Sequence, residues 1–433
     1  MNHQHTAAST PLTPAIVPNV LQQHAEDAAI LHATRTALTN APHVRLKHLG
    51  RFDDRLGAHL DGLLVAGDHA WPACAAELER PRAGSVFTVA ALALESGNNE
   101  QLTRMCALAE GVPELRSGLL AALGWTAPVR LVGVVANLLS SSNPFHRLLG
   151  IAASAMHRVD PGLAAGRRTQ DPDPAVRARA LRAAGELGLY QLVSSLAAAI
   201  DDEDPECRFW AAWSAVLLGD RERALEFLAQ SARGAEELPI ELQARAFQLS
   251  LQAMGVRAGR ELLRQMAADP GNRRRKIQGA GLIGDPAYVP WLIGQMTDEA
   301  TARLAGEAVS LITGADLALL DLERRPPDTS QGGPNDDPDD PNIDMDPDEG
   351  LPWPDSQRVQ EWWDGHAVGF SSGDRCFMGS AVTRESCILV LRHGFQRQRR
   401  AAALHLSLSQ RGSTLFEYRA PARRQRHELV SMA

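Results

Sequence analysis

Residues 171–219 carry a repeat that most constrains what this chain can fold into. Pro174 and Pro205, Arg177 and Arg208, Ala180 and Ala211, and Gly188 and Gly219 are each 31 residues apart. Four matched positions at one offset define a period. A period of this size is the signature of stacked structural repeats, each too small to bury its own apolar face.

One unit explains the period physically. Asp173 accepts bonds from the free N–H groups of a helix start. Pro174 sits in the first turn, where its missing donor costs nothing. Val176, Ala180, Leu181, Ala184 and Leu187 recur at helical spacing and make one apolar face. Gly188 ends the helix in the left-handed conformation that favours glycine. A second helix follows, with Leu192, Val193, Leu196 and Ile200 apolar. The expected fold class is all-α: a HEAT-like α-solenoid of stacked helix pairs, with a helical N-terminal cap and a small C-terminal helical unit after an acidic linker. The resemblance to HEAT-like repeats, also seen in phycobilin-lyase-type proteins, is carried by Asp173, Val176, Arg177, Ala180, Ala184, Gly185, Leu187 and Gly188. It implies a fold and no activity, because such folds host many binding roles.

The register extends along the chain. Pro81, Pro113, Pro144, Pro174 and Pro205 open successive units at spacings of 32, 31, 30 and 31, and Arg116, Arg147, Arg177 and Arg208 keep a constant offset from their prolines. Beyond Gly219 the pattern loosens. Five segments are expected: a disordered tail at 1–15, a helical cap at 16–80, HEAT-like repeats at 81–320, an acidic Pro/Gly/Asp-rich linker at 321–354, and a C-terminal helical unit at 355–433. The linker assignment rests on proline and self-repelling charge, which cannot bury a core.

Charge is local. The formal charge is −8, but nine of the 52 acids lie in 328–349, so elsewhere 44 basic residues face 43 acidic ones. Cys74, Cys106, Cys207, Cys376 and Cys387 are odd in number and scattered, which points to a reducing, cytoplasmic setting and away from structural zinc. Residues 1–20 hold no Lys or Arg, and no signal peptide is expected there. No apolar run reaches membrane-spanning length.

Three regions together are similar to an uncharacterised proteobacterial family of conserved hypothetical proteins. These are His24–Leu31 with Ala41–His43, Asp53 and Ala58–Gly62; Val86 and Phe87 with Ala91–Ser96; and Gly394–Leu404 with Leu415, Phe416 and Arg419–Pro421. The genes of that family commonly lie near type VI secretion clusters. The resemblance implies a HEAT-like accessory protein of a secretion or effector locus and supplies no catalytic residues.

Candidate chemistry is sparse. His24, Glu26, Asp27, His43, His59 and Asp61 are the densest His/carboxylate set, but His24 and Glu26 do not share a helix face, so partner recognition is preferred to a metal. Asp344–Gly350 departs from a calcium-binding loop in the place of its glycine. The arginines at 116, 147, 177 and 208 are read as a structural ladder pairing with acids of adjoining units, such as Asp173 or Asp204, rather than as an anion track. Nine arginines between Arg392 and Arg426 suggest either nucleic-acid binding or pairing with the acidic linker. No nucleotide-loop, hydrolase or zinc-protease motif is present. No enzyme activity, cofactor or metal is expected. The expected partner is a protein, an effector or secretion component, met through His24, Glu26, Asp27, His43, His59, Asp61, Trp362, Trp363, Arg397, Arg399 and Arg400. The alternatives are a nucleic-acid-binding or DNA glycosylase-like protein, and a neutraliser of a toxin.

Overall fold

A computed structural model describes residues 16–163, 167–234, 237–266, 270–327 and 346–432. The expectation for residues 1–15 and most of the acidic run therefore lie outside the described residues. The fold is all-α, and its described residues form two compact units: residues up to 34 with 54–130, and 35–53 with 131 onward. These units do not follow the divisions suggested by sequence. Residues 81–130 belong with the first, and the C-terminal residues share the second with the later repeats.

The first unit takes most of α1 (Pro18–Leu38) and α2 (Leu46–Ala66), then α3 (Trp71–Glu77), α4 (Ala83–Ser96), α5 (Asn99–Gly111) and α6 (Arg116–Trp125). Ala25, Ala28, Leu56, Leu63, Val86, Phe87 and Leu119 are buried. Helix α4 packs on α6 at close range because Gly118 has no side chain there. A Cβ at that position would collide with the Ala83 carbonyl, so the small residue sets the interhelix distance.

The second unit is a regular stack. Helix α7 (Pro128–Ser140) leads into it, and the first helices of its pairs are α8 (Pro144–Met156), α9 (Pro174–Glu186), α11 (Pro205–Leu217), α13 (Ile240–Ala253), α15 (Arg273–Ile283) and α17 (Glu299–Thr313). The second helices between them are α10 (Val193–Ala199), α12 (Arg223–Ala232), α14 (Val256–Met266) and α16 (Val289–Gln295). Asn143, Asp173, Asp204 and Asp298 cap their helices through side-chain oxygens, each cap being worth about 1 kcal/mol. One continuous core runs from Ile151 through Val176, Leu181, Phe209, Trp213, Leu249, Ile277 and Leu292 to Ile312. The loosening beyond Gly219 has a local cause: α13 and α15 begin without a side-chain cap.

The arginine ladder exists, with one correction. Arg147 pairs with Asp171, and Arg177 with Asp202, both through two hydrogen bonds of 2.8–3.0 Å. The partners are not Asp173 and Asp204. Those carboxylates are committed to capping, and the acid two residues earlier takes the guanidinium. Later in the stack Arg260 meets Asp285 and Arg273 meets Asp298, but there the pairing acid is itself the capping residue. Arg116 instead donates to the Ala109 and Glu110 carbonyls, and Arg208 to the carbonyls of Asp202 and Glu203.

The remaining elements are α18 (Ser356–His366), a hairpin of β1 (Cys376–Phe377) and β2 (Ser380–Ala381), α19 (Arg384–His393), α20 (Gln396–Ser409) and α21 (Ala422–Ser431). They form a strap across the C-terminal ends of the first helices. Cys376 N–H donates to the Gly284 carbonyl beyond α15, and Met378 and Gly379 donate to the Leu311 and Ile312 carbonyls of α17. Arg375 donates to the carbonyls of Leu251, Gln252 and Met254 at the end of α13. Arg221 donates to the Leu408 carbonyl, Leu415 N–H to the Glu186 carbonyl of α9, and Arg424 meets His157 beyond α8. The chain thus retraces the stack from its last helix toward its first. The driving force is plain: helix C-termini leave carbonyls unpaired and carry partial negative charge, which N–H groups and guanidiniums satisfy. At Gly188 and Gly314 the absent side chains let the strap approach.

Candidate functional site

The sequence-predicted set does not gather into one site. In the first unit His24 Nδ1 and His59 Nδ1 lie 3.1 Å apart, and Asp27 is 3.8 Å from His59. Glu26 accepts a bond from Gln22, and Asp61 is exposed. His43 belongs to the second unit, where it packs against Gly350. Among the described residues, no group of three or more His, Cys, Asp and Glu is placed to hold a metal ion.

In the C-terminal region Trp363 is buried, while Trp362 stacks on His366 at 4.4 Å. Arg399 is a correction. It is fully buried and presents nothing to a partner. It donates to the Leu391 carbonyl at 2.7 Å and to the side-chain oxygens of Gln396 and Gln425, tying α19, α20 and α21 together. Arg397 pairs with Glu307 at 2.9 Å and donates to the Pro347 carbonyl. The acidic run, as far as it is described, pairs with the repeats: Asp346 takes Arg303 and Asp348 takes Arg274. Arginine at helical spacing reads as a basic face. Which arginines turn inward depends on the fold of the strap, which carries no periodicity.

Several residues of the family resemblance form a clamp. Arg35 is buried, pairs with Asp53, and donates to the carbonyls of Arg419 and Ala420. Asp53 also accepts the Ala422 N–H. This clamp is why residues 35–53 join the second unit.

The most chemically loaded place in the second unit is a cavity of about 360 Å³ walled by α13, α15, α17 and α20, with Thr39, Asn40 and Tyr418 completing it. Phe247, Leu282, Leu304 and Leu311 give it apolar surface, and Gln248, Gln278, Gln396 and Gln398 line it with amides. Arg275, Arg397 and Arg400 line it, against the single carboxylate Glu307. Arg275 donates to the Ala232 carbonyl at 3.3 Å and lies over the Phe247 ring, and among the described residues it meets no carboxylate. Among the described residues, Arg400 donates to no protein group and pairs with no carboxylate. Burial, and to a lesser extent Arg419 and Arg397, push its pKa down. Arg245, on α13, lies near the face of Trp210. Its pKa falls to about 10 through burial first and then repulsion from Arg182, Arg400 and Arg419. Burial also raises the pKa of Glu307. Of the cavity's charged groups, sequence reading had singled out Arg397 and Arg400 but missed Arg275 and Glu307, because the walls come from four separate helices.

With this geometry in view, residues 161–250 match the family described as HEAT repeats. No curated protein and no solved structure matches the chain. Residues 161–250 thus carry HEAT-like repeats, in keeping with the all-α stack in which they lie. No helix among the described residues is long and apolar enough to cross a membrane.

Proposed function

We propose that the protein is a non-enzymatic interaction scaffold of the cytoplasm, serving as an adaptor or chaperone-like accessory of a type VI secretion or effector locus. The observation that carries this reading is the HEAT-like stack of the second unit, whose second helices keep exposed faces such as Glu226 of α12 and Arg257 of α14. Stacked repeats provide extended binding surfaces from many small units. All five cysteines are free thiols, which suits a reducing compartment. The test is titration of the purified chain with secretion and effector components encoded beside it. One component should bind, and binding should weaken on charge reversal at Glu226 and Arg257. Failure of every such component to bind would overturn the reading. Rescue of cells from a neighbouring toxin would make the scaffold a neutraliser instead.

A second reading, nucleic-acid binding, draws on a groove lined by Arg45, Lys47, Arg392, His393 and Arg426. It predicts a gel shift that fades with salt, and no shift at low salt would remove it.

A further inference from the structure

We propose that the cavity between α13, α15, α17 and α20 is a binding site for a small dianion, a phosphate monoester or a dicarboxylate. The inference is independent of the scaffold reading.

Charge carries the first part of it. Arg275, Arg397 and Arg400 meet one carboxylate, Glu307, which is already paired with Arg397. Among the described residues, Arg275 and Arg400 have no carboxylate partner. Both side chains are half-buried, and a partly desolvated cation gains from a counter-ion. Along the stack Arg147, Arg177, Arg260, Arg273, Arg274 and Arg303 all meet carboxylates, and in the strap Arg375 and Arg399 are taken up by carbonyl and amide oxygens instead. Arg400 lines the wall from α20 and, among the described residues, donates to no protein acceptor. A ligand with two negative charges would match the excess. Planar guanidinium forks are suited to the paired oxygens of phosphate and carboxylate.

Shape carries the second part. A volume of about 360 Å³ falls within the range of small-molecule sites, which combine apolar walls with a few polar groups. Phe247 and Leu304 supply apolar surface, and the Gln248 and Gln278 amides can hydrogen-bond the uncharged part of a ligand. The strap contributes Arg397 and Arg400 while α15 contributes Arg275, so a bound dianion would join strap to stack.

The test uses the full chain at low ionic strength and calorimetric titration with inorganic phosphate, adenosine monophosphate and succinate. Saturable binding of either phosphate probe assigns a phosphate ligand, and binding of succinate alone assigns a dicarboxylate. Arg400→Gln should weaken the binding about ten-fold or more, while the unliganded variant is at least as heat-stable as the wild type, because Arg400 makes no pairing with the described residues. No saturable binding of any probe, or unchanged affinity in Arg400→Gln, would overturn the proposal. Should that variant fail to fold, Arg275→Gln reads the same loss, and unaltered affinity in it would be equally fatal.

Discussion

Two sets of arginines in the second unit face opposite circumstances. Along the stack, Arg147 and Arg177 each meet the carboxylate of the next repeat in a two-bond pair, at Asp171 and Asp202. In the cavity, Arg275 and Arg400 meet none among the described residues. All four sit on helices, three in the stack and Arg400 in the strap, so helix formation does not separate them. The difference is that the ladder repeats with the period and the cavity does not. Repeated pairing is a stacking rule; Arg375 and Arg399 replace it with carbonyl and amide acceptors, and Arg400 has neither among the described residues, which is the contrast the proposed anion site rests on.

Substitutions can break or sharpen this contrast. The largest effect is expected at Glu186, which is buried and pairs with Arg179 and Arg182. Glu186→Gln leaves two guanidiniums without their acid and should cost about 3–5 kcal/mol in denaturant unfolding. Burial alone would raise the Glu186 pKa, but Arg179, Arg182 and Arg158 hold it at about 2. Its contribution is therefore complete above the ordinary carboxylate pKa and is lost as pH falls toward 2.

His405 comes next, on the buried face of the strap. Burial, with some help from Arg375, lowers its pKa to about 3. Below its ordinary value of 6.5 the unfolded chain takes up a proton that the folded chain refuses. Stability should then fall with pH from there down toward 3, by up to about 1.4 kcal/mol per pH unit. His405→Leu should remove that slope in unfolding curves measured at successive pH values. An unchanged slope would assign it to other groups.

The ladder should be worth less. A double-mutant cycle on Arg177→Gln and Asp202→Asn is expected to give a coupling of about 1–2 kcal/mol. The cavity should show the reverse sign: Arg400→Gln, without ligand, should leave stability unchanged or raise it by about 1 kcal/mol. At the small end stands Arg104, exposed and paired with Glu100 one turn away, where Arg104→Ala should change stability by under about 0.5 kcal/mol.

The repeats were legible because their rules are local. Asp173, Pro174 and Gly188 act within a few residues of themselves, and the 31-residue spacing shows them twice. The identity of the ladder acids was off by two residues because Asp171 and Asp173 are chemically alike. Only the folded geometry shows that one caps and the other pairs. The strap was legible as helices and a hairpin but not as a strap, since Arg375 and Leu415 bond to carbonyls more than 100 positions away. The cavity was hidden for the same reason. Arg275 and Glu307 are brought together by stacking and Arg400 by the strap, and no spacing records it. Arg399 and Arg400, adjacent in sequence, part company completely: one is satisfied by three side-chain and carbonyl acceptors, the other by none.

The most direct measurement is the shift in melting temperature caused by inorganic phosphate or succinate, read side by side for the wild type, Arg177→Gln and Arg400→Gln at low ionic strength. If the cavity is the anion site and the ladder is structural, phosphate or succinate raises the melting temperature of the wild type and of Arg177→Gln by the same increment and leaves Arg400→Gln unmoved. Equal shifts in all three proteins, or no shift in any with either phosphate or succinate, would contradict it.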